Sequence, residues 1–154
     1  MTRLEISPSD WENYVGKELG TSDWYEVTQE KINNFAEIIN DKQWIHVDPE
    51  RAKKESPYGR TVAHGNFVLS IAYYLFSQLY TPINTRMTIN YGWNKIRFPA
   101  PTPVGQRIRL TGKVNQVKVV GEDTYDVEFD FKIYVEGEIK PCFAALKLSR
   151  FYAS

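Results

Sequence analysis

Between Tyr125 and Glu136 the chain alternates without a break. Tyr125, Val127, Phe129, Phe131, Ile133 and Val135 are interleaved with Asp126, Glu128, Asp130, Lys132, Tyr134 and Glu136. A period of two puts the first set on one face of a β-strand and the second on the other, so this stretch predicts a strand with one buried face. Less regular runs of the same kind occupy 85–98, 105–120 and 139–152, separated from one another by Pro99-Ala100-Pro101, Gly121-Glu122 and Gly137. Turn-forming punctuation between half-buried strands predicts a consecutive antiparallel sheet.

The first half has a different period. In 65–80, Phe67, Val68, Ile71, Ala72, Leu75, Phe76 and Leu79 fall on one stripe, and Leu69, Tyr73, Tyr74 and Tyr80 make much of the remainder apolar or aromatic. That predicts a helix of about 24 Å, buried on most sides. Ile32, Phe35, Ala36 and Ile39 predict an amphipathic helix over 29–39, with Thr28 as N-cap and Glu30 in its first turn. Gly16 to Val27 alternates loosely enough for a first strand, and Ser9-Asp10-Trp11-Glu12 opens a short leading helix. A strand, a central buried helix and then long antiparallel strands make an α+β domain whose sheet curls around the helix.

Composition narrows the partners. A chain of 154 residues suits one domain, 1–154, with 1–14 as an N-terminal extension. Nineteen basic and nineteen acidic residues cancel, and neither sign forms a long run, so no footprint for nucleic acid or an anionic membrane is present. Cys142 is the only cysteine, which excludes an internal disulfide and fits a reducing compartment. The first twenty residues lack a secretory pattern, and no apolar run approaches the roughly 18 residues of a membrane span. The expectation is a soluble, cytoplasmic protein.

Candidate chemistry concentrates in 40–65, which holds both histidines. Asp41 and His46 are five residues apart, and on a continued helix they would point about 140° away from each other. They converge only if the chain leaves the helix. Asp48-Pro49-Glu50 has the form of a new helix start, which makes Asp48 a cap. Taken alone, His46 reads as a hydrogen-bonded structural histidine and Asp41 as a turn residue. Taken together beside a helix start, a carboxylate and an imidazole can hold one water, take its proton and return a proton elsewhere. Gly65, at the first turn of the central helix, has an N–H without an intrahelical partner and no Cβ to block a ligand. It can serve as an oxyanion donor or merely permit tight packing. His64 reads as a residue that orders the preceding loop. No cluster has zinc-ligand spacing, and neither a phosphate-binding glycine loop nor a G-x-S-x-G elbow is present.

Three ordered motifs, Asp41-Lys42-Gln43-Trp44-Ile45-His46-Val47-Asp48-Pro49, Thr61-Val62-Ala63-His64-Gly65 and Tyr91-Gly92-Trp93-Asn94-Lys95-Ile96-Arg97-Phe98-Pro99-Ala100-Pro101, resemble the MaoC-type dehydratases. Within them the chain is most similar to the nodulation-protein-N-like branch, from about Val15 to the C-terminus. The resemblance implies a single hot-dog domain, a homodimer or dimer of dimers, and (R)-specific, reversible syn addition of water to a trans-2-enoyl thioester. It makes Asp41 and His46 the catalytic pair and Gly65 the oxyanion amide, and it places Asn94 and Arg97 near the acyl or pantetheine path, although both also suit the solvated face of a strand. It implies no metal or other cofactor, because CoA or acyl carrier protein arrives as part of the substrate. Gln43 and Trp44 replace the Asn and Pro of the D-x-N-P-x-H hydratase pattern. Tyr73 stands where those enzymes carry an assisting serine, with Ser70 one turn away. Two other readings stay open: a hot-dog thioesterase that attacks C1, and an acyl-thioester binding module without turnover.

Overall fold

The computed structural model describes residues 3–154. The first two residues of the expected 1–14 extension lie outside them. In order, the elements are β1 (Leu4–Ile6), a 3-10 helix (Pro8–Tyr14), β2 (Glu18–Thr21), β3 (Tyr25–Glu26), α1 (Gln29–Ile39), α2 (Trp44–Val47), α3 (Pro49–Glu55), α4 (Gly65–Phe76), β4 (Tyr80–Pro82), β5 (Thr85–Arg97), β6 (Arg107–Gly121), β7 (Thr124–Val135) and β8 (Phe143–Ala153).

The large sheet runs β2-β6-β7-β8-β5, with β3 also paired to β6, and every pairing in it is antiparallel. The alternation read from the sequence holds through β7, whose Val127, Phe129, Phe131 and Ile133 are fully buried while Asp126, Glu128 and Asp130 face outward. β6 and β5 carry bulges, at Val114/Gln116 and Asn90/Gly92 among others. Bulges bend and twist a strand, which helps a long sheet to curl. A second, two-stranded sheet pairs β1 with β4 in parallel, a feature the three-residue β1 is too short to announce by periodicity.

The curled sheet closes on α4. Phe76 packs against Phe129 and Phe131 at centroid distances of 4.6 and 4.7 Å, and Trp11 from the 3-10 helix meets both Tyr80 and Phe129 at 5.1 Å. Edge-on and tilted contacts of this kind add to the burial of each ring. Two expectations need correction here. α4 ends at Phe76, because Ser77–Leu79 turn and Tyr80 joins β4, so the helix is about 18 Å long rather than 24 Å. Nor is it buried on most sides: Tyr73 and Tyr74 are 57% and 53% exposed, and Asn66 and Ser70 are also on the surface. That open flank borders β5, which among the described residues pairs only with β8. Among the described residues no helix is long and apolar enough to cross a membrane.

Candidate active site

The break that the site needs is at Asn40. It adopts left-handed dihedrals (φ 56°, ψ 36°), which asparagine tolerates better than most residues, and its N–H returns to Ala36 O. Asp41 then turns away from α1, its own N–H also donating to Ala36 O at 3.1 Å. The chain does not continue as an open loop. Trp44–Val47 form one helical turn, α2, that carries His46 inward, and Asp48 Oδ1 accepts from Arg51 N at 3.1 Å to start α3 as its cap.

His46 is 8% exposed, and its Nδ1 donates to Val62 O at 2.7 Å. A carbonyl can only accept, so the proton is fixed on Nδ1 and Nε2 presents a lone pair. Burial holds the imidazole below its ordinary range and outweighs the opposing effects of the Val62 bond and the Asp41 charge, while His64 lowers it further. His46 is therefore neutral at neutral pH. His64 stacks on it at 3.8 Å with the planes 25° apart, and its Nε2 donates to Asp41 O at 2.9 Å. His64 thus orders the Asp41 turn, as expected from its position before the helix. Its Nδ1, left as an acceptor, is buried without a partner among the described residues.

Gln29, the first residue of α1, spans the site. Its Nε2 donates to His46 O at 2.7 Å and its Oε1 accepts from Thr61 Oγ1, while Val62 N donates to Ile45 O at 3.0 Å. Spacing alone could not disclose that clamp, since Gln29 and Thr61 are 32 residues apart. Asp41, by contrast, is exposed, and its Oδ1 is only 3.4 Å from Gln43 N, which leaves the carboxylate open toward solvent. Side-chain atoms of Asp41, His46 and His64 able to ligate a metal all lie within 4.8 Å of one another. The fold assembles that set from two segments, which is why residue spacing did not reveal it.

Gly65 opens α4 directly after His64. A Cβ there would stand 3.0 Å from the Phe98 ring, so the glycine allows an aromatic wall to close against a helix start. Beside it is a cavity of about 270 Å³ lined mainly by apolar groups, among them Ile45, Val68, Phe98, Pro99 and Cys142. His64 thus links Asp41 and His46 to the helix start at Gly65, although of these three only Gly65 lines the cavity. Asn94 and Arg97 are exposed on β5, and neither lines this cavity; Arg97 Nη1 donates to Ile96 O at 2.8 Å. Ser70 Oγ is occupied with Asn66 O at 2.7 Å, and Tyr73 is exposed.

A long antiparallel sheet rolled around one helix is the hot-dog arrangement, and here a carboxylate and an imidazole stand beside the amino end of that helix. The chain belongs to the MaoC-like dehydratase family: the model of the MaoC like domain matches residues 10–134. It is 43% identical over 147 residues to 3-hydroxyacyl-thioester dehydratase Z of Mycobacterium tuberculosis, covering 96% of this chain and 97% of the relative. It is 37% identical over 142 residues to Nodulation protein N of Rhizobium meliloti, covering 92% and 88%. Solved structures agree in fold. The monoamine oxidase regulatory protein from Archaeoglobus fulgius superimposes with a TM-score of 0.80 at 22% identity, over 98% of this chain and 99% of that one. The (R)-hydratase from A. caviae gives 0.71 at 19% identity, over 88% and 94%.

Proposed function

We propose that the protein is an (R)-specific enoyl-thioester hydratase, equivalently a 3-hydroxyacyl-thioester dehydratase, that adds water reversibly and on one face to a trans-2-enoyl thioester. The observation that carries this reading is the fixed tautomer of His46. With Nδ1–H held by Val62 O, a neutral imidazole keeps Nε2 as a proton acceptor, and one of its ring nitrogens lies within 4.8 Å of an oxygen of the open Asp41 carboxylate. Asp41 and His46 hold the water, take its proton as its oxygen bonds to C3, and supply a proton to C2 on the same face. Charge that builds on the thioester oxygen meets the Gly65 N–H at the positive end of α4. The acyl chain enters the apolar cavity beside Phe98. His64 positions both members of the pair.

The reaction needs no metal or other cofactor on this reading, and the CoA or carrier-protein group belongs to the substrate. The protein works in the cytosol as a homodimer that pairs through the unpartnered edge of β5, where Met87, Tyr91, Tyr73 and Tyr74 expose apolar surface. Asn94 and Arg97 lie on that same strand and would reach substrate only across the junction of two copies.

The test is to incubate the protein with crotonyl-CoA and with a longer trans-2-enoyl-CoA, following conjugation and free thiol together. Loss of conjugation without thiol release, abolished by Asp41→Asn or His46→Asn, is the expected result. Thiol release would replace this reading with a thioesterase, and binding without change at any chain length would replace it with a non-catalytic module.

A further inference from the structure

The proton on His46 depends on where one carbonyl stands. The ring Nδ1–H bonds Val62 O at 2.7 Å, and Val62 N donates to Ile45 O at 3.0 Å, so α2 is joined to the segment that leads into α4. Both bonds run through Val62, and alone they would let the two segments pivot about that residue. Gln29 supplies the second attachment. Its Nε2 donates to His46 O at 2.7 Å and its Oε1 accepts from Thr61 Oγ1, one residue beyond Ile45 on one segment and one residue before Val62 on the other.

The chemistry of that attachment is specific. A carbonyl can only accept, so the end of the amide facing His46 O is its nitrogen, and the Thr61 hydroxyl meets its oxygen. One side chain has to donate to the first segment and accept from the second, which an amide does and a carboxylate, ammonium or thioether of similar length does not. A further bond from Nε2 goes to Asn33 Oδ1 at 2.9 Å, one turn along α1, and sets the plane of the amide. Thr61 is buried, and its hydroxyl would be costly to leave without a partner. Thr28 Oγ1 already caps α1 by accepting from Lys31 N at 3.2 Å, so the start of the helix does not depend on Gln29.

We infer that Gln29 is a positioning residue for the hydration reaction: together with Thr61 it holds the Val62 carbonyl where it keeps the His46 proton on Nδ1 and the lone pair on Nε2. Gln29 does not line the cavity beside Gly65, so it acts through His46 and not on the thioester. Which imidazole nitrogen carries the proton is set by the hydrogen bonds made at the ring. A Val62 carbonyl free to draw away would let the proton pass to Nε2, and the ring would then offer the water no acceptor. The effect on turnover rests on the hydratase reading; the effect on the tautomer does not.

Nitrogen-15 NMR of the histidine rings, with steady-state hydration of crotonyl-CoA alongside, tests the inference in the parent, Gln29→Met, Thr61→Val and Thr61→Ser. The His46 signals are assigned by their absence from His46→Asn, and in the parent they should show the proton on Nδ1. Gln29→Met keeps the length and loses both hydrogen-bonding ends. In it an Nε2–H form of His46 should appear, and kcat should fall about tenfold or more with little change in KM, the scale of loss that a misplaced catalytic group brings. Thr61→Val should act in the same direction, and Thr61→Ser, which restores the hydroxyl, should reverse it. An Nδ1–H signature unchanged in Gln29→Met and Thr61→Val would overturn the inference, even where kcat falls, because that fall would then be a loss of folded protein. A kcat in Gln29→Met equal to the parent's would overturn it as well. If Gln29→Met does not fold, the two Thr61 variants decide. A parent that adds no water to the enoyl thioester would defeat the hydratase reading instead, and the ring tautomers would still show whether Gln29 sets the state of His46.

Discussion

The amino end of α4 and its open flank are both polar places next to the same core, and they solve the problem of burial differently. At the amino end, His46 is kept neutral by burial, and His46 and His64 each donate one ring N–H to a backbone carbonyl, of Val62 and of Asp41. The charge of that site, the Asp41 carboxylate, stays at the surface. On the flank, the charge itself is buried, and Lys147 has an amide oxygen and a carbonyl but no carboxylate. Backbone carbonyls can satisfy a neutral donor completely, whereas a buried cation held only by dipoles remains under-compensated. The first arrangement suits a proton carrier with a fixed tautomer; the second holds an ammonium by dipoles alone.

If the amino end is the catalytic part, damage there should dominate activity. Asp41→Asn and His46→Asn should each lower the hydration rate by about 10² or more, the range lost when a general acid/base group is removed, with melting temperatures changed far less. Gly65→Ala should follow. Its methyl would press on Phe98 at 3.0 Å, closing the wall beside the Gly65 N–H, and a loss of about tenfold in kcat/KM is expected with about 1 kcal/mol of stability. Phe98→Leu in the same chain should recover most of both, which kinetics and urea denaturation would show. Activity of Gly65→Ala equal to that of the parent would remove the glycine from the site.

Titration sharpens the comparison further. Burial lowers the His46 pKa, so the unfolded chain binds the proton more readily than the folded one. The stability this contributes is present above the ordinary value of 6.5 and is lost as pH falls through the lowered folded value. The hydration rate should decline through that same acidic range, because protonated His46 has no acceptor to offer; a rate that stays level well below pH 6 would contradict the assignment. At the flank the smallest effect is expected. Lys147→Met should stabilise the protein by about 1 kcal/mol at pH 7, since an unpaired buried charge is replaced by a side chain of similar volume. Lys147 also has a lowered folded pKa, so the parent gains stability as pH rises from about 8 toward 10.5, and the advantage of the variant should shrink there.

Much of this was legible in the sequence, for reasons that differ by element. The face of β7 was readable because alternation survives wherever one side of a strand is buried, and α1 and α3 because Thr28 and Asp48 act locally as caps. The end of α4 was not readable. Leu79 and Tyr80 continue an apolar pattern that the helix abandons, and burial by a neighbouring strand looks the same in one dimension as burial by a helix face. Asp41 and His46 could be brought together from motif spacing, but the single turn α2 that carries His46 is too short to show a period, and the Gln29 clamp and the His46–His64 stack depend on contacts between distant segments. The burial of Lys147 is not legible in the sequence, because a single lysine in a strand reads as solvated until the sheet shows which face it is on.

The central claim is that one acid/base pair on one side of the substrate both delivers the water and protonates C2. Hydration of crotonyl-CoA in deuterated water, with the product analysed for the relative configuration of the C2 deuterium and the C3 hydroxyl, tests it directly. Addition of both to the same face, giving a single diastereomer with the (R)-hydroxyl, is the predicted result. Addition to opposite faces, or a mixture of the two, would mean that Asp41 and His46 do not act as that pair.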